Sequence, residues 1–247
     1  MRKTQPNAMV DQTRESASSA AEFVPRTTKL PVLRNAASAC RGCDLYCNAT
    51  QTVFGAGPVN AVAMFVGEQP GDQEDRAGQP FVGPAGRLLD EALAKVGIDR
   101  EQCYVTNAVK HFKFIPRGPR RIHSKPSARQ ISACKPWLQA EVEIVKPKMV
   151  IALGATAAQA MMGAKFRITK THGELFKDTP WAPSFMATIH PSAILRMPDH
   201  DLREEARKQF LADLEIAAKE IRKRKETFHA GVVASAATKL NGLAHSY

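Results

Sequence analysis

Four short apolar runs in the middle of the chain have the length of buried strands. They occupy 61–66, 103–109, 149–153 and 185–189. Apolar residues recur at helical spacing in 86–96, 127–145, 155–162 and 199–222. Within the second of these stretches, Pro136 predicts a kink or a restart. Because strands and helices alternate, the pattern predicts an α/β fold with three layers: a central, mostly parallel four-stranded sheet flanked by helices.

The two ends of the chain lack such a pattern. Residues 1–30 are polar and rich in Ser and Ala, and 223–247 are rich in small residues, so we expect two disordered tails around one domain at 31–222. No run of ~18 apolar residues is present, which predicts that the chain does not span a membrane. The first residues lack the apolar segment of an export signal, so we expect a cytoplasmic protein.

Charge narrows the class of partner. The chain has 35 Lys and Arg against 24 Asp and Glu, a formal net charge of +11, which suits a polyanion. Residues 107–135 contain eight basic side chains and no acidic one: Lys110, Lys113, Arg117, Arg120, Arg121, Lys125, Arg129 and Lys135. We interpret this run as a phosphate track, with an ordinary solvated charged loop as the alternative.

Polar residues follow the predicted strands, where α/β folds gather their sites. Glu68 lies in a glycine-flanked turn after the first strand, Asn107 ends the second, and His190 follows the fourth. An Asn side chain can read the edge of a base, and a His can donate to a developing anion. Phe81, in a Gly/Pro-rich loop, could stack on a flat ring, although a core position is equally compatible with its context.

The segment after His190 predicts a contact with DNA. Ile194 and Leu195 are apolar and Arg196 is basic, which is typical of a wedge that enters a duplex and touches phosphate. A simple helix-starting loop is the alternative.

Five cysteines without an export signal favour reduced thiols or a metal site over disulfides. Cys40 and Cys43 form a CxxC half-site, and Cys134 and His111 could complete a Cys₃His set. By ligand type alone, zinc is the default metal for such a set, and Cys134 could instead be a small buried hydrophobe. A nucleic-acid binding module with a zinc site therefore stays open at this point.

Taken together and in order, these motifs resemble the uracil-DNA glycosylase superfamily, and within it the family 4 type that carries an iron–sulfur cluster. The resemblance spans about Cys40 to Leu214 and rests on GEQPG (67–71), GQPFVGPAGRLL (78–89), YVTNAVK (104–110), LGATAA (153–158) and HPSAILR (190–196). Three features differ from the usual family 4 pattern: Gln69 replaces Ala, His111 replaces Cys, and an extra basic loop contains Arg120 to His123. All three resemble the subgroup named UdgX, which becomes covalently attached to the DNA from which it has removed uracil.

The resemblance implies a role for each matching residue. Catalysis would involve Glu68, Asn107, His123 and His190, with His123 bonding to C1′ of the abasic site in a single turnover. Substrate binding would involve Gln69, Asp72, Asp75, Phe81, Asn107 and Arg196. A [4Fe–4S] cluster, in place of zinc, would be held by Cys40, Cys43, His111 and Cys134.

The expected partner is uracil-containing DNA, preferably single-stranded because an unpaired base is easier to extrude, and the expected oligomeric state is a monomer. The alternative activity is that of an ordinary hydrolytic family 4 enzyme, which releases uracil and abasic DNA with turnover and for which His123 would be a bystander.

Overall fold

The computed structural model describes residues 19–243, with side chains described as far as Glu226. The strands are β1 (Ala63–Gly67), β2 (Cys103–Asn107), β3 (Phe114–Arg117), β4 (Arg120–His123), β5 (Met149–Leu153), β6 (Phe176–Lys177) and β7 (Ser184–Thr188). Five of them form one sheet in the order β2-β1-β5-β7-β6. The predicted four parallel strands are confirmed, and the two-residue β6 adds an antiparallel edge that is too short to give a sequence pattern.

The helices are α1 (Leu30–Ala37), α2 (Asp72–Ala77), α3 (Pro84–Lys95), α4 (Ala128–Val145), α5 (Ala155–Met162), α6 (Ile168–Thr171), α7 (Pro191–Leu195) and α8 (His200–Leu243). A restart at Pro136 does not occur, because α4 continues through it. None of the helices in the described part of the chain is both long and apolar enough to cross a lipid bilayer.

The sheet separates two apolar cores, which confirms the three layers. On one face, Met64 and Val66 of β1 pack with Trp137 of α4. On the other face, Phe65 packs with Leu89 of α3. The four parallel strands are buried at every position, and burial on both faces explains why each reads as a continuous apolar run.

Regular backbone structure is also found outside residues 31–222, and the domain bounds stay a prediction. Ala20 is buried within a short 3-10 helix. It also packs closely on Gly42, because a Cβ added to Gly42 would lie 2.6 Å from the backbone nitrogen of Ala20. Ordered packing therefore begins before residue 31. At the other end, helical backbone runs to Leu243, well past residue 222. The rest of the predicted tails, 1–18 and 244–247, lies outside the described residues.

The basic run contains a β-hairpin that the apolar pattern did not predict. β3 and β4 pair so that Phe114 faces His123 and Arg117 faces Arg120. The two-residue turn between them places Gly118 at φ +58, a left-handed conformation that glycine adopts readily. This hairpin carries His123 to the edge of the sheet where the polar strand ends meet.

Candidate active site

A cleft of about 990 Å³ opens at the carboxyl ends of the parallel strands. Most of the residues that the sequence singled out line it together: Glu68, Gln69, Asp72, Phe81, Asn107, His123, His190 and Arg196. Asp75 does not line the cleft, because its side chain is fully buried and pairs with Arg121 of the hairpin. The predicted convergence at one sheet edge is therefore what the fold produces.

The floor of the cleft is formed where Asn107 and Phe81 meet above Gly67. Gly67 and Asn107 are register partners in β1 and β2. A Cβ on Gly67 would lie 2.3 Å from Asn107 Oδ1 and 2.9 Å from Phe81 Cζ, so only glycine leaves room for both side chains. No hydrogen bond among the described residues uses the side-chain amide of Asn107, which leaves its donor and acceptor available to a ligand.

Phe81 is held in an unusual backbone conformation. Its φ is +58, and a Cβ on Gly86 would lie 1.7 Å from its carbonyl oxygen. The buried carboxylate of Glu74 fixes the loop by accepting hydrogen bonds from the N–H groups of Gly71 and Gly83, at 3.0 and 2.7 Å. Glu74, which the sequence did not single out, thus joins the GEQPG turn to the loop that presents the aromatic ring.

His190 is a neutral hydrogen-bond donor at the wall of the cleft. Its Nδ1 accepts a hydrogen bond from the Ser192 N–H at 3.0 Å, so the neutral ring carries its proton on Nε2. Burial, followed by the positive charge of Arg196, lowers the pKa of His190 to about 4. The ring stacks on Phe81 with centroids 6.2 Å apart. A neutral N–H donor fixed beside an aromatic ring suits an anion that develops during a reaction.

His123 and Glu68 face each other across the mouth of the cleft. Their Nε2 and Oε1 atoms are 3.4 Å apart, and the side chains are 42% and 19% exposed. Burial lowers the pKa of His123; Glu68 acts against this shift, and Arg196 adds to it. A neutral imidazole with a carboxylate neighbour has the chemistry of a nucleophile beside a proton acceptor.

Gln69 fastens the hairpin that carries His123. Its Nε2 donates to the carbonyls of Lys113 and Ser124, and its Oε1 accepts from the Lys113 N–H, each at 3.1 Å. Both ends of the hairpin are therefore tied to one side chain. The protein uses both amide protons and one acceptor position of Gln69. The expected substrate contact of Gln69 stays a prediction.

Three thiols lie together between the N-terminal segment and α4. Cys134 is within electrostatic reach of Cys40 and Cys43, and burial raises its pKa to about 12. The sulfur of Cys40 accepts hydrogen bonds from the Trp137 indole and the Gly42 N–H, and that of Cys134 accepts one from the Lys110 N–H. Donors of this kind stabilise the negative charge of metal-bound thiolates.

His111 is oriented to offer Nδ1 as a ligand atom. The hydroxyl of Thr52 donates to the Ala37 carbonyl, so it accepts from His111 Nε2–H at 2.8 Å. Burial lowers the pKa of His111 to about 4, which keeps the Nδ1 lone pair free of a proton. No three His, Cys, Asp or Glu side chains in the described part of the chain converge as ligands of one ion. A four-iron cluster takes a separate ligand on each iron, and thiolates with an imidazole are donor types that suit it. The cluster itself stays a prediction.

Comparison with known proteins identifies the scaffold. The family model described as the uracil DNA glycosylase superfamily matches residues 54–215. A type-4 uracil-DNA glycosylase of Thermotoga maritima is 39% identical over 185 residues, which cover 74% of this chain and 90% of the relative. One from Archaeoglobus fulgidus is 36% identical over 177 residues, covering 69% and 84%.

The chain belongs to the uracil DNA glycosylase superfamily. Its relatives place it with the type-4 family, which confirms the expected family and fold. Membership of the UdgX subgroup stays a prediction.

In this glycosylase fold, Asp72 and Asp75 both bind the hairpin through Arg121. Arg121 Nη1 lies 2.6 Å from Asp75 Oδ2, and Arg121 Nε pairs with Asp72 Oδ1. The guanidinium also lies over the rings of Phe112 and Phe114, at 5.4 and 5.1 Å. The expected substrate contacts of both carboxylates stay a prediction, and Arg121 is a structural anchor that its position in a basic run did not reveal.

The predicted phosphate track is likewise smaller than the basic run. Lys110 is fully buried and pairs with Glu141, and Lys113 donates to Gln130. The basic residues of the run that remain exposed are Arg117, Arg120, Lys125 and Arg129. The predicted apolar wedge is also smaller, since Ile194 is buried in the core, whereas Leu195 and Arg196 line the cleft.

Proposed function

We propose that this chain excises uracil from DNA and then bonds through His123 to C1′ of the resulting abasic site. The observation that carries the proposal is the convergence, in one cleft, of an available Asn107 amide, a neutral His190 donor and the His123–Glu68 pair. The names of the type-4 relatives support uracil excision. Covalent capture rests on the His123–Glu68 geometry and on the resemblance to UdgX.

Excision begins with extrusion of the uridine from the base stack, which costs a few kcal/mol and is cheaper in single strands. The uracil ring stacks on Phe81, and the Asn107 amide, which offers a donor and an acceptor, reads the ring's polar edge. The bond between N1 and C1′ then breaks, and its electron pair leaves with the base. His190 Nε2–H meets the developing uracil anion and lowers the barrier, because it is held in place before charge appears.

Capture follows at C1′, which has become electron-poor. The neutral imidazole carries its proton on Nδ1, and the free lone pair of His123 Nε2 forms the new C–N bond. The ring becomes a cation, which the Glu68 carboxylate stabilises, and it then loses the Nδ1 proton to solvent. The released uracil anion later takes up one proton, so the overall step conserves protons. An imidazole held beside C1′ outcompetes water because its effective concentration is high.

The proposal includes a [4Fe–4S] cluster held by Cys40, Cys43, His111 and Cys134. These residues come from the CxxC segment, the chain after β2 and helix α4, so a bound cluster would tie the three segments together. Trp137, Gly42 and Thr52 support these ligands through the hydrogen bonds described above. The purified protein is expected to absorb at roughly 400 nm and to lose this band in Cys134→Ser; one bound zinc and no such band would contradict the cluster.

Leu195 and Arg196 are proposed to contact the DNA beside the extruded nucleotide. Both line the cleft and are exposed, and Arg196 carries the charge that a phosphate needs. The exposed basic residues of the hairpin and of α4 add to the positive rim.

The test incubates the full chain with a uracil-containing oligonucleotide, single- or double-stranded, and separates the boiled products on a denaturing gel. A band that contains both protein and DNA, absent in His123→Ser while that variant still releases uracil, is the expected result. Abasic DNA without a protein-linked band in the wild type would instead establish the hydrolytic alternative. No uracil release from either strand form would contradict the whole proposal.

A further inference from the structure

A fully buried ammonium near the cleft has no part in the chemistry proposed above. Lys110 is 0% exposed, yet its ammonium has three acceptors: Glu141 Oε2 at 2.5 Å, Thr106 Oγ1 at 2.7 Å and the Asn107 carbonyl oxygen at 2.7 Å. Each N–H of the ammonium therefore has a partner. A lysine in this state cannot touch DNA phosphate.

Glu141 completes the network from α4. Its Oε1 accepts hydrogen bonds from the Gly55 N–H and the Tyr104 hydroxyl, both at 3.0 Å, and the Thr106 hydroxyl lies 3.0 Å from each of its oxygens. The charged groups of Lys110 and Glu141 thus have all their hydrogen-bond partners within the protein. A buried ion pair nevertheless offers little net stability over an apolar pair of similar size. Stability alone is a weak reason for an ammonium at this position.

The ammonium instead holds the peptide that carries Asn107. Asn107 is the last residue of β2, and its side-chain amide has no hydrogen bond among the described residues. On one side, the chain is held by the Ala108 N–H, which donates to the Gly67 carbonyl at 2.8 Å. On the other side, Lys110 Nζ binds the Asn107 carbonyl itself, which fixes the rotation of the peptide and hence the direction of the side chain.

The same residue reaches the thiol set. The Lys110 N–H donates to Cys134 Sγ at 3.3 Å, and its carbonyl accepts from the Val53 N–H at 2.8 Å. Lys110 therefore lies between the residue that faces the base and a candidate cluster ligand.

We propose that Lys110, with Glu141 as its counter-ion, is a positioning residue for base recognition: it holds the Asn107 carbonyl so that the Asn107 amide is aligned with the edge of uracil. This inference rests on the proposed uracil excision. A charge-assisted hydrogen bond of this kind corresponds to about a ten- to hundredfold effect on the step that depends on it.

The test uses the paired substitution K110M/E141Q in the full chain. Removing both charges avoids an unpaired buried ion, and Gln at 141 can still accept from Gly55 and Tyr104. Single-turnover uracil release, thermal unfolding and absorbance at roughly 400 nm are measured together. The matched control is K177M/E220Q, which removes another ion pair with a buried carboxylate (2.6 Å) between β6 and α8, away from Asn107.

A double-mutant cycle with Asn107→Ala separates positioning from structure. If Lys110 acts through Asn107, K110M/E141Q slows uracil release about ten- to a hundredfold in the wild-type background and has no further effect when Asn107 is already Ala. The control pair lowers the melting temperature and leaves the rate unchanged. Wild-type rates in K110M/E141Q, or losses that multiply in the Asn107→Ala background, would overturn the inference.

If K110M/E141Q does not fold, K110Q/E141Q replaces it, because Gln is shorter than Lys and ends before the Asn107 carbonyl. The same two outcomes then apply. Absence of uracil release by the wild type would contradict the proposed function itself, a failure that is distinct from either outcome of the cycle.

Discussion

Arg121→Met is expected to weaken covalent capture while leaving uracil excision nearly intact. Arg121 fastens the hairpin to α2 through Asp75, whose side chain is 0% exposed, and through the half-exposed Asp72. The excision residues lie on strand ends that the substitution does not touch. Met keeps the apolar stem over Phe112 and removes only the charge.

The size of the effect follows from the burial of the two carboxylates. Removing one partner of a buried ion pair destabilises the packed state by about 3–5 kcal/mol, and loss of the ion pair with Asp72 adds at most about 1 kcal/mol. Asp75 keeps its hydrogen bonds from the Thr50 N–H, at 3.0 and 3.1 Å, so the lower end applies. About 3 kcal/mol shifts the docking equilibrium of the hairpin by roughly a hundredfold, and the capture rate falls by up to that factor.

The assay follows two products from one reaction: the protein–DNA band on a denaturing gel, and abasic DNA revealed by alkali. Arg120→Met is the matched control, because Arg120 is the adjacent residue of β4 and is exposed at the turn. We expect slow capture with near-normal uracil release in Arg121→Met and normal behaviour in Arg120→Met. Capture at the wild-type rate in Arg121→Met, or equal losses in both variants, would refute the anchoring role.

Two further predictions concern the floor and wall of the cleft. Gly67→Ala would place a Cβ 2.3 Å from Asn107 Oδ1. It is expected to reduce uracil release, measured on a gel, by more than about a hundredfold, while the circular dichroism spectrum stays native. Normal uracil release would refute this prediction. For His190, the pKa is about 4 in the folded state and ~6.5 when unfolded, so the unfolded state binds the proton first and stability is lost as pH falls from about 6.5 to about 4. Melting temperatures measured across this window should decline, and excision should not titrate with His190 near pH ~6.5; a melting temperature that rises as pH falls would contradict the assignment.

The residues of the sheet edge could be predicted from sequence because their signals are local. A strand buried on both faces must be apolar throughout, so its end is visible as the point where Gly67, Asn107 or His190 appears. Parallel strands bring their carboxyl ends to the same edge, and this rule is sufficient to bring Glu68, Asn107 and His190 into one cleft.

The partners of the basic run could not be predicted, because their interactions are long-range. Lys110 and Arg121 look alike in a stretch without acids, yet one pairs with Glu141 and the other with Asp72 and Asp75. Which acid a basic residue meets depends on how the hairpin and α4 pack. A local pattern therefore assigns such residues to solvent or phosphate by default.

Excision and capture depend on different parts of the structure: excision on residues fixed by the sheet, and capture on a hairpin fixed by a few side chains. Asn107 and Phe81 are fixed by the sheet and by loops joined to it, so the excision geometry depends on the core itself. His123 lies on a two-stranded hairpin, where the side chains of Gln69 and Arg121 supply the contacts that hold it over the cleft. Because an isolated hairpin is marginal in water, the position of His123 depends on these few side chains. Loss of one of them should therefore uncouple capture from excision, whereas no change in the core can remove excision and leave capture, since capture needs the electron-poor C1′ that excision creates.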